Sequence, residues 1–311
     1  METRDLAVGI FFLTQTALGM VGNSAMFFCF IIADFSGIKV KPTDLIIKHL
    51  TWANFIVLCR GIPQTTAAFC QTYYLDYVSC KLVLYFHRVG RGMSLGSTSL
   101  LSVFQAITIS PNNSKLAELK GTAPRIISSS LGLGWALQLL VYVCIPVYTT
   151  DIWGGKNDTG IKDFGFCVIM NPGRLLGILN TILLTSNDVI FLGLMMWASG
   201  YMVFILLKHK QRVQHIHRSP SPRSSPETRA TQNILTLVSI FVFFYVTSIV
   251  FTSYLSVLEE TRRLSNAGAA MAACFPAFCP FLFIRHHAPV FRLCSIGFHQ
   301  TIHRAYVVRE H

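Results

Sequence analysis

Apolar positions along this chain run on without the alternation of a half-buried strand. Long uninterrupted stretches lie at about residues 7–32, 44–67, 80–109, 125–147, 175–207, 232–256 and 266–285. A helix needs about 20 residues to cross the roughly 30 Å of hydrocarbon in a bilayer. Only helices and closed barrels satisfy their backbone there, and continuous rather than period-two patterning selects helices. The pattern therefore predicts an all-α membrane protein, a bundle of seven transmembrane helices. The third and fifth stretches exceed what a bilayer requires and are expected to tilt or project into water. The seventh, "NAGAAMAACFPAFCPFLFI", is rich in small residues and holds two prolines, yet it is long and uncharged.

Composition supports this reading. Of 311 residues, 52% are hydrophobic and 13% charged, against about a quarter charged in ordinary soluble domains. The formal net charge of +12 would suggest nucleic acid in a soluble protein. Here the basic residues sit mainly in loops, where they set topology and meet anionic lipid. One set of loops and the tail carries 15 of them, among them Lys39, Lys41, Lys115, Lys120, Lys208, Lys210, Arg212 and Arg285. The opposite set carries 6: Arg4, Lys156, Lys162, Arg174, Arg262 and Arg263. The excess marks the cytoplasmic side, so the N-terminus is expected outside and the C-terminus inside. The N-terminal run has charges of both signs before a full-length span, and reads as an uncleaved first helix. Residues 1–285 form the expected seven-helix membrane domain and 286–311 a cytoplasmic tail. The loop "HKQRVQHIHRSPSPRSSPETRA" is basic and rich in Ser and Pro. Its start is expected to prolong the fifth helix and its middle to be disordered.

Three of the nine cysteines fall on the predicted outer side: Cys70, Cys80 and Cys167. A Cys80–Cys167 disulfide would pin the second outer loop over the bundle in an oxidising compartment. A bond from Cys70 to either partner stays open at this level. Asn157-Asp158-Thr159, in the same loop, is a glycosylation sequon, whereas the match at Asn112 falls on the cytoplasmic side.

Charges inside the spans are costly, and they turn toward the bundle interior. The third span reads "CKLVLYFHRVGRGMSLGSTS". Arg88 and Arg91 are three apart and share a face. At 1.5 Å per residue Arg91 lies about 16 Å below Cys80, near mid-membrane. Asp188, in "TSNDVIF" of the fifth span, sits at similar depth. Arg60 lies near the outer end of the second span, where its head can reach water. Two readings compete. In the structural one Arg91 pairs with Asp188, Arg88 bonds backbone carbonyls and His87 is a hydrogen-bonded interior histidine. In the functional one Arg88, Arg91, Asp188 and His87 border a cationic cavity for an anionic or strongly polar ligand. The glycines and serines beside them are explained by close helix approach alone.

These residues carry a resemblance. The segment "HRVGRGMSLGSTSLLSVFQAITISP" is similar to the third-helix signature of vomeronasal type 1 receptors, a group of seven-helix G-protein-coupled receptors. "TDLIIKHLTWANF", the third inner loop and "CFPAFCPF" extend the likeness from about residue 7 to 292. Rhodopsin-like receptors carry an acid-Arg-aromatic triplet where this chain has Phe104-Gln105-Ala106, and Asn-Pro-x-x-Tyr where it has Cys279-Pro280-Phe281-Leu282-Phe283. The family resembled lacks the triplet too. The resemblance implies a plasma-membrane pheromone or chemical-cue receptor of sensory neurons, coupled to inhibitory-class heterotrimeric G proteins. Gln105 and the basic segment Lys208, Lys210 and Arg212 are the expected G-protein contacts. A bitter-taste-type receptor of the same fold is the alternative, followed by a small-molecule transporter. A transporter would show charges along a full crossing path or half-helices in repeats. An enzyme is disfavoured by the lack of HExxH, of an acidic pair and of nucleophile–base spacing. No cofactor, metal or nucleic-acid partner is expected.

Overall fold

The computed structural model describes residues 3–37, 41–70, 75–111, 118–143, 149–150, 162–163, 166, 168–169, 174–216, 235–236, 238–248, 250 and 262–286. Each predicted span falls on helix: Thr3–Phe35, Pro42–Phe69, Tyr77–Ile109, Ala123–Val141, Arg174–Ile216, Val238–Ser248 and Arg262–His286. Five of these hold stretches long and apolar enough to cross a membrane, namely Leu6–Phe35, Pro42–Phe69, Tyr77–Ile109, Thr185–Lys208 and Asn266–Phe283. The fifth helix continues to Ile216, beyond the predicted bilayer limit at 207, as the basic segment led us to expect.

Local chemistry sets the helix starts. Pro42 begins the second span, and the Asp44 carboxylate accepts the Lys41 amide at 3.0 Å; both features suit a first turn, where amides lack intrahelical partners. The third span starts at Asp76, whose side chain accepts the Ser79 amide at 3.3 Å. That cap, led by Ser79, holds the Asp76 carboxyl below the usual carboxylate range.

The second span departs from a single rod. It consists of two helices, Pro42–Cys59 and Gly61–Phe69, that meet at Arg60. Pro63 has no amide to give the carbonyl four residues earlier, and its ring crowds that carbonyl. Gly61 sits against the first span so closely that a Cβ there would lie 2.0 Å from Thr16 Oγ1.

Prolines in the seventh span are matched across the bundle. Pro280 cannot donate to Pro276, so the Pro276 carbonyl needs another donor. Asn23 of the first span supplies it from Nδ2 at 2.9 Å. Gly19, one turn away, allows the approach, because a Cβ there would meet Ala277 Cα at 2.9 Å. In hydrocarbon such substitution by a neighbouring side chain is what makes a helix proline tolerable.

The core runs through the bundle axis, with Met26, Ile46, Leu50, Met93, Phe241 and Phe275 buried together. Outward-facing positions are apolar as well. Leu133 is 72% exposed and Val21 70%, which suits lipid rather than water as the surrounding solvent. At the Cys80 end lies a small antiparallel sheet, an addition to the all-α expectation. Its strands are β1 (Thr149–Thr150), β2 (Lys162–Asp163) and β3 (Val168–Ile169), with β3 central, pairing Thr149 and Lys162 each with Ile169. The Phe166 carbonyl accepts from the Leu75 amide at 3.3 Å and so ties this loop to the start of the third span.

Candidate functional site

Three spans converge on Arg91. Its guanidinium lies 3.8 Å from the Asp188 carboxylate of the fifth span, with both side chains 13% exposed. Nε donates to the Tyr245 hydroxyl of the sixth span at 3.4 Å, and the guanidinium carbon stands 4.6 Å from the centroid of the same ring. Arg91 thus has a carboxylate on one side and an aromatic face on the other, two of the environments that stabilise a buried cation.

The other predicted residues are placed differently. His87 is buried, with Nδ1 3.2 Å from the Val57 carbonyl; this is the hydrogen-bonded interior histidine of the structural reading. Arg88 is half-buried and belongs to neither ion pair found among the described residues, Lys48–Asp34 and Arg91–Asp188. It acts electrostatically on Arg91, Asp188 and Tyr142. Arg60 also lies close enough to Arg88 and Arg91 to repel both.

A polar network packs behind the ion pair. Asn187, the neighbour of Asp188, exchanges bonds with the Gln138 amide at 3.3 Å in both directions and donates to the Tyr142 hydroxyl at 3.3 Å. Gly92 makes room for it, since a Cβ there would fall 2.2 Å from Gln138 Oε1. Below, Ser94 donates to Asn54 Oδ1 at 2.7 Å. Sequence reasoning missed Tyr245, Gln138 and Asn187. For Tyr245 the signal was a single hydroxyl-bearing ring in the apolar run "FVFFYV".

Beside Arg91 opens a narrow cleft with enclosed room for about one water molecule. Arg91, Tyr245, Phe241, Phe244, Phe275 and Met271 are among its walls, with the Ser94 and Ser248 hydroxyls. Arg88, Asp188 and His87 are not among its described lining residues. Ligand sites combine apolar walls with a few placed polar groups, and the lining here has that character.

Toward the Cys80 end, Cys80 is disulfide-bonded whereas Cys70 is a free thiol. Cys167 and Asn157 lie outside the described residues. Phe166, however, is 1% exposed and packs with Cys80, Ala67 and Leu84.

At the opposite end, where an arginine triplet is missing, the third and fifth spans meet through apolar and hydroxyl contacts. Ala106 packs with Ala198 and Met202. The Ser110 and Tyr201 hydroxyls stand 2.9 Å apart, and Lys120 Nζ donates to the Ser110 carbonyl at 2.8 Å. Gln105 is half-buried, with no hydrogen-bond partner for Oε1. Lys208 is exposed near the end of the fifth helix. Lys210 and Arg212 follow on the same helix, their side chains outside the described set.

Comparison with known proteins gives the same family as the third-helix motif. The model of the vomeronasal organ pheromone receptor family matches residues 6–296. Vomeronasal type-1 receptor 4 of Homo sapiens is 45% identical over 297 residues, covering 94% of this chain and 98% of the relative. Vomeronasal type-1 receptor 3 of Homo sapiens is 43% identical, covering 95% and 96%. A more distant relative, olfactory receptor class A-like protein 1 of Danio rerio, is 29% identical, covering 90% of each chain.

Proposed function

The chain belongs to the vomeronasal organ pheromone receptor family, and from that premise we propose that its cleft beside Arg91 receives a small organic chemical cue and that binding there activates a heterotrimeric G protein. As a member of that family it is a multi-pass plasma-membrane receptor and not an enzyme. The N-terminus and the Cys80 end of the bundle face outside in this reading, by the 15-to-6 count of basic residues, which puts the cleft in the outer half.

One observation carries the reading. Arg91 lines the cleft while holding the fifth span through Asp188 and the sixth through Tyr245. A ligand that contacts Arg91 changes what that residue offers to both spans, so occupancy biases their relative arrangement. Arg88 and His87 support the site from the same helix by field and packing. The G-protein surface is the opposite end, with Gln105, Lys208, Lys210 and Arg212, and an inhibitory-class partner is what the family likeness implies.

The test is a screen of volatile and steroid-like compounds on cells expressing the receptor, read by cAMP and calcium. With any activating compound, Met271→Ala, which shortens a half-buried side chain of the cleft wall, should weaken the response at unchanged surface level. Phe28→Ala, which removes a ring 59% exposed on the outer face of the first span, should leave it intact. Equal responses from both variants would remove the cleft from the mechanism.

A further inference from the structure

We propose that the hydrogen bond between Ser110 and Tyr201 is a latch that holds the inner end of the bundle closed, in the place of the arginine lock this chain lacks. The two hydroxyls stand 2.9 Å apart where the third span ends against the fifth. Ser110 is 2% exposed. It caps the third helix in an extended conformation, as a residue before proline must, and its carbonyl accepts from Lys120 Nζ at 2.8 Å. One residue is thus tied through its hydroxyl to the fifth span and through its carbonyl to the segment before the fourth. On the other side the Tyr201 ring stacks on Trp197, one turn earlier, with centroids 5.9 Å apart and planes 12° apart. Each partner is positioned by groups other than the one it bonds, so little ordering is lost when the bond forms.

Apolar side chains make the seam around this pair. Ala106, Ala198 and Met202 are buried together, and Val103, Ile109 and Leu235, which leads into the sixth span, pack around them. In such low-dielectric surroundings a hydroxyl pair is stronger than in water, and a hydroxyl stripped of its partner is costly. Once the end opens and water enters, both hydroxyls exchange their mutual bond for bonds to water at small net cost. The contact therefore favours the closed end while the seam is dry and resists little once it is wet. An ordinary hydrogen bond suffices for this, since its loss shifts a two-state equilibrium about two- to ten-fold. That such closure restrains signalling rests on the proposed coupling of the inner end to a G protein.

Tyr201→Phe keeps the ring and its stack on Trp197 while removing the hydroxyl. Hydrogen exchange on the purified full-length receptor in lipid nanodiscs reads closure, and cAMP in cells without added compound, normalised to surface level, reads signalling. The peptide ending at Ser110 should exchange about two- to ten-fold faster in Tyr201→Phe and in Ser110→Ala. The double variant should be no faster than either, because the two act through one bond. Ligand-independent signalling should rise in the same variants. Ser110→Thr retains a hydroxyl and should stay near native. Tyr85→Phe removes another tyrosine hydroxyl that bridges spans, to the Leu139 carbonyl at 2.9 Å near the opposite end, and should change neither readout. Native exchange in Tyr201→Phe and Ser110→Ala would overturn the latch, as would additive effects in the double variant or an equal acceleration in Tyr85→Phe. Faster exchange with unchanged basal signalling would leave the latch standing and detach the inner end from G-protein coupling.

Discussion

Tyr245 presents both its ring face and its hydroxyl to Arg91: the guanidinium carbon lies 4.6 Å from the ring centroid, and Nε donates to the hydroxyl at 3.4 Å. With Asp188 on the fifth span, this joins three helices through one side chain at the edge of the cleft. Removing one partner of a buried pair strands the other charge, at roughly 3–5 kcal/mol. Arg91→Ala and Asp188→Ala should each lower the amount of folded receptor at the cell surface. The exchange Arg91→Asp with Asp188→Arg should restore part of it. Normal surface levels in both single variants would show that the pair does not hold the bundle. Tyr245→Phe keeps the ring and should cost only about 0.5–1.5 kcal/mol, the net value of an ordinary hydrogen bond.

Gly92 and Gly96 lie one turn apart and should answer differently to alanine. A Cβ at Gly92 would fall 2.2 Å from Gln138 Oε1 and 3.0 Å from Tyr142, whereas at Gly96 it would meet Phe191 at an ordinary 3.5 Å. Gly92→Ala must push Gln138 away from Asn187, and overpacking of this kind costs about 1–3 kcal/mol. Gly96→Ala should be neutral or slightly stabilising. Thermal unfolding of the two purified variants makes the comparison, and equal midpoints would contradict it.

For the disulfide we propose Cys167 as the partner of Cys80, because Phe166 packs against Cys80 and Cys70 is a free thiol. Cys80→Ser and Cys167→Ser should each reduce stability by a few kcal/mol, and the double variant should be no worse than either. Cys70→Ser should behave as the native receptor. Peptide mapping that joined Cys80 to any other cysteine would refute the pairing.

Topology has a direct reporter. If the second outer loop faces outside, Asn157→Gln removes a glycosidase-sensitive mass shift and Asn112→Gln does not. A shift lost only with Asn112 would invert the orientation.

At the inner end, replacing Lys208, Lys210 and Arg212 together by Glu should abolish signalling while ligand binding at the cell surface remains measurable. Basic groups there attract the anionic leaflet and acidic surfaces of a partner. Unchanged signalling would take this segment out of the coupling step.

The seven spans, the long fifth helix and the presence of Arg91 and Asp188 at matching depth were all legible in the sequence. Each depends on quantities the chain carries locally: continuous apolarity, length at 1.5 Å per residue, and the rarity of charge in hydrocarbon. The break at Arg60 was also written there, in Pro63, but the apolar pattern runs straight through it. Matching depth singled out Arg91 rather than Arg88 as the partner of Asp188, and the two stand 3.8 Å apart; periodicity alone could not separate the two arginines, since both share a face. Nor could it place Tyr245 against Arg91, Asn23 against the Pro276 carbonyl, or Gln138 in the space left by Gly92. Those relations were decided by how each helix is rotated and set against its neighbours. That arrangement is fixed by side-chain packing between spans far apart in the chain, and hydropathy along one span contains no term for it.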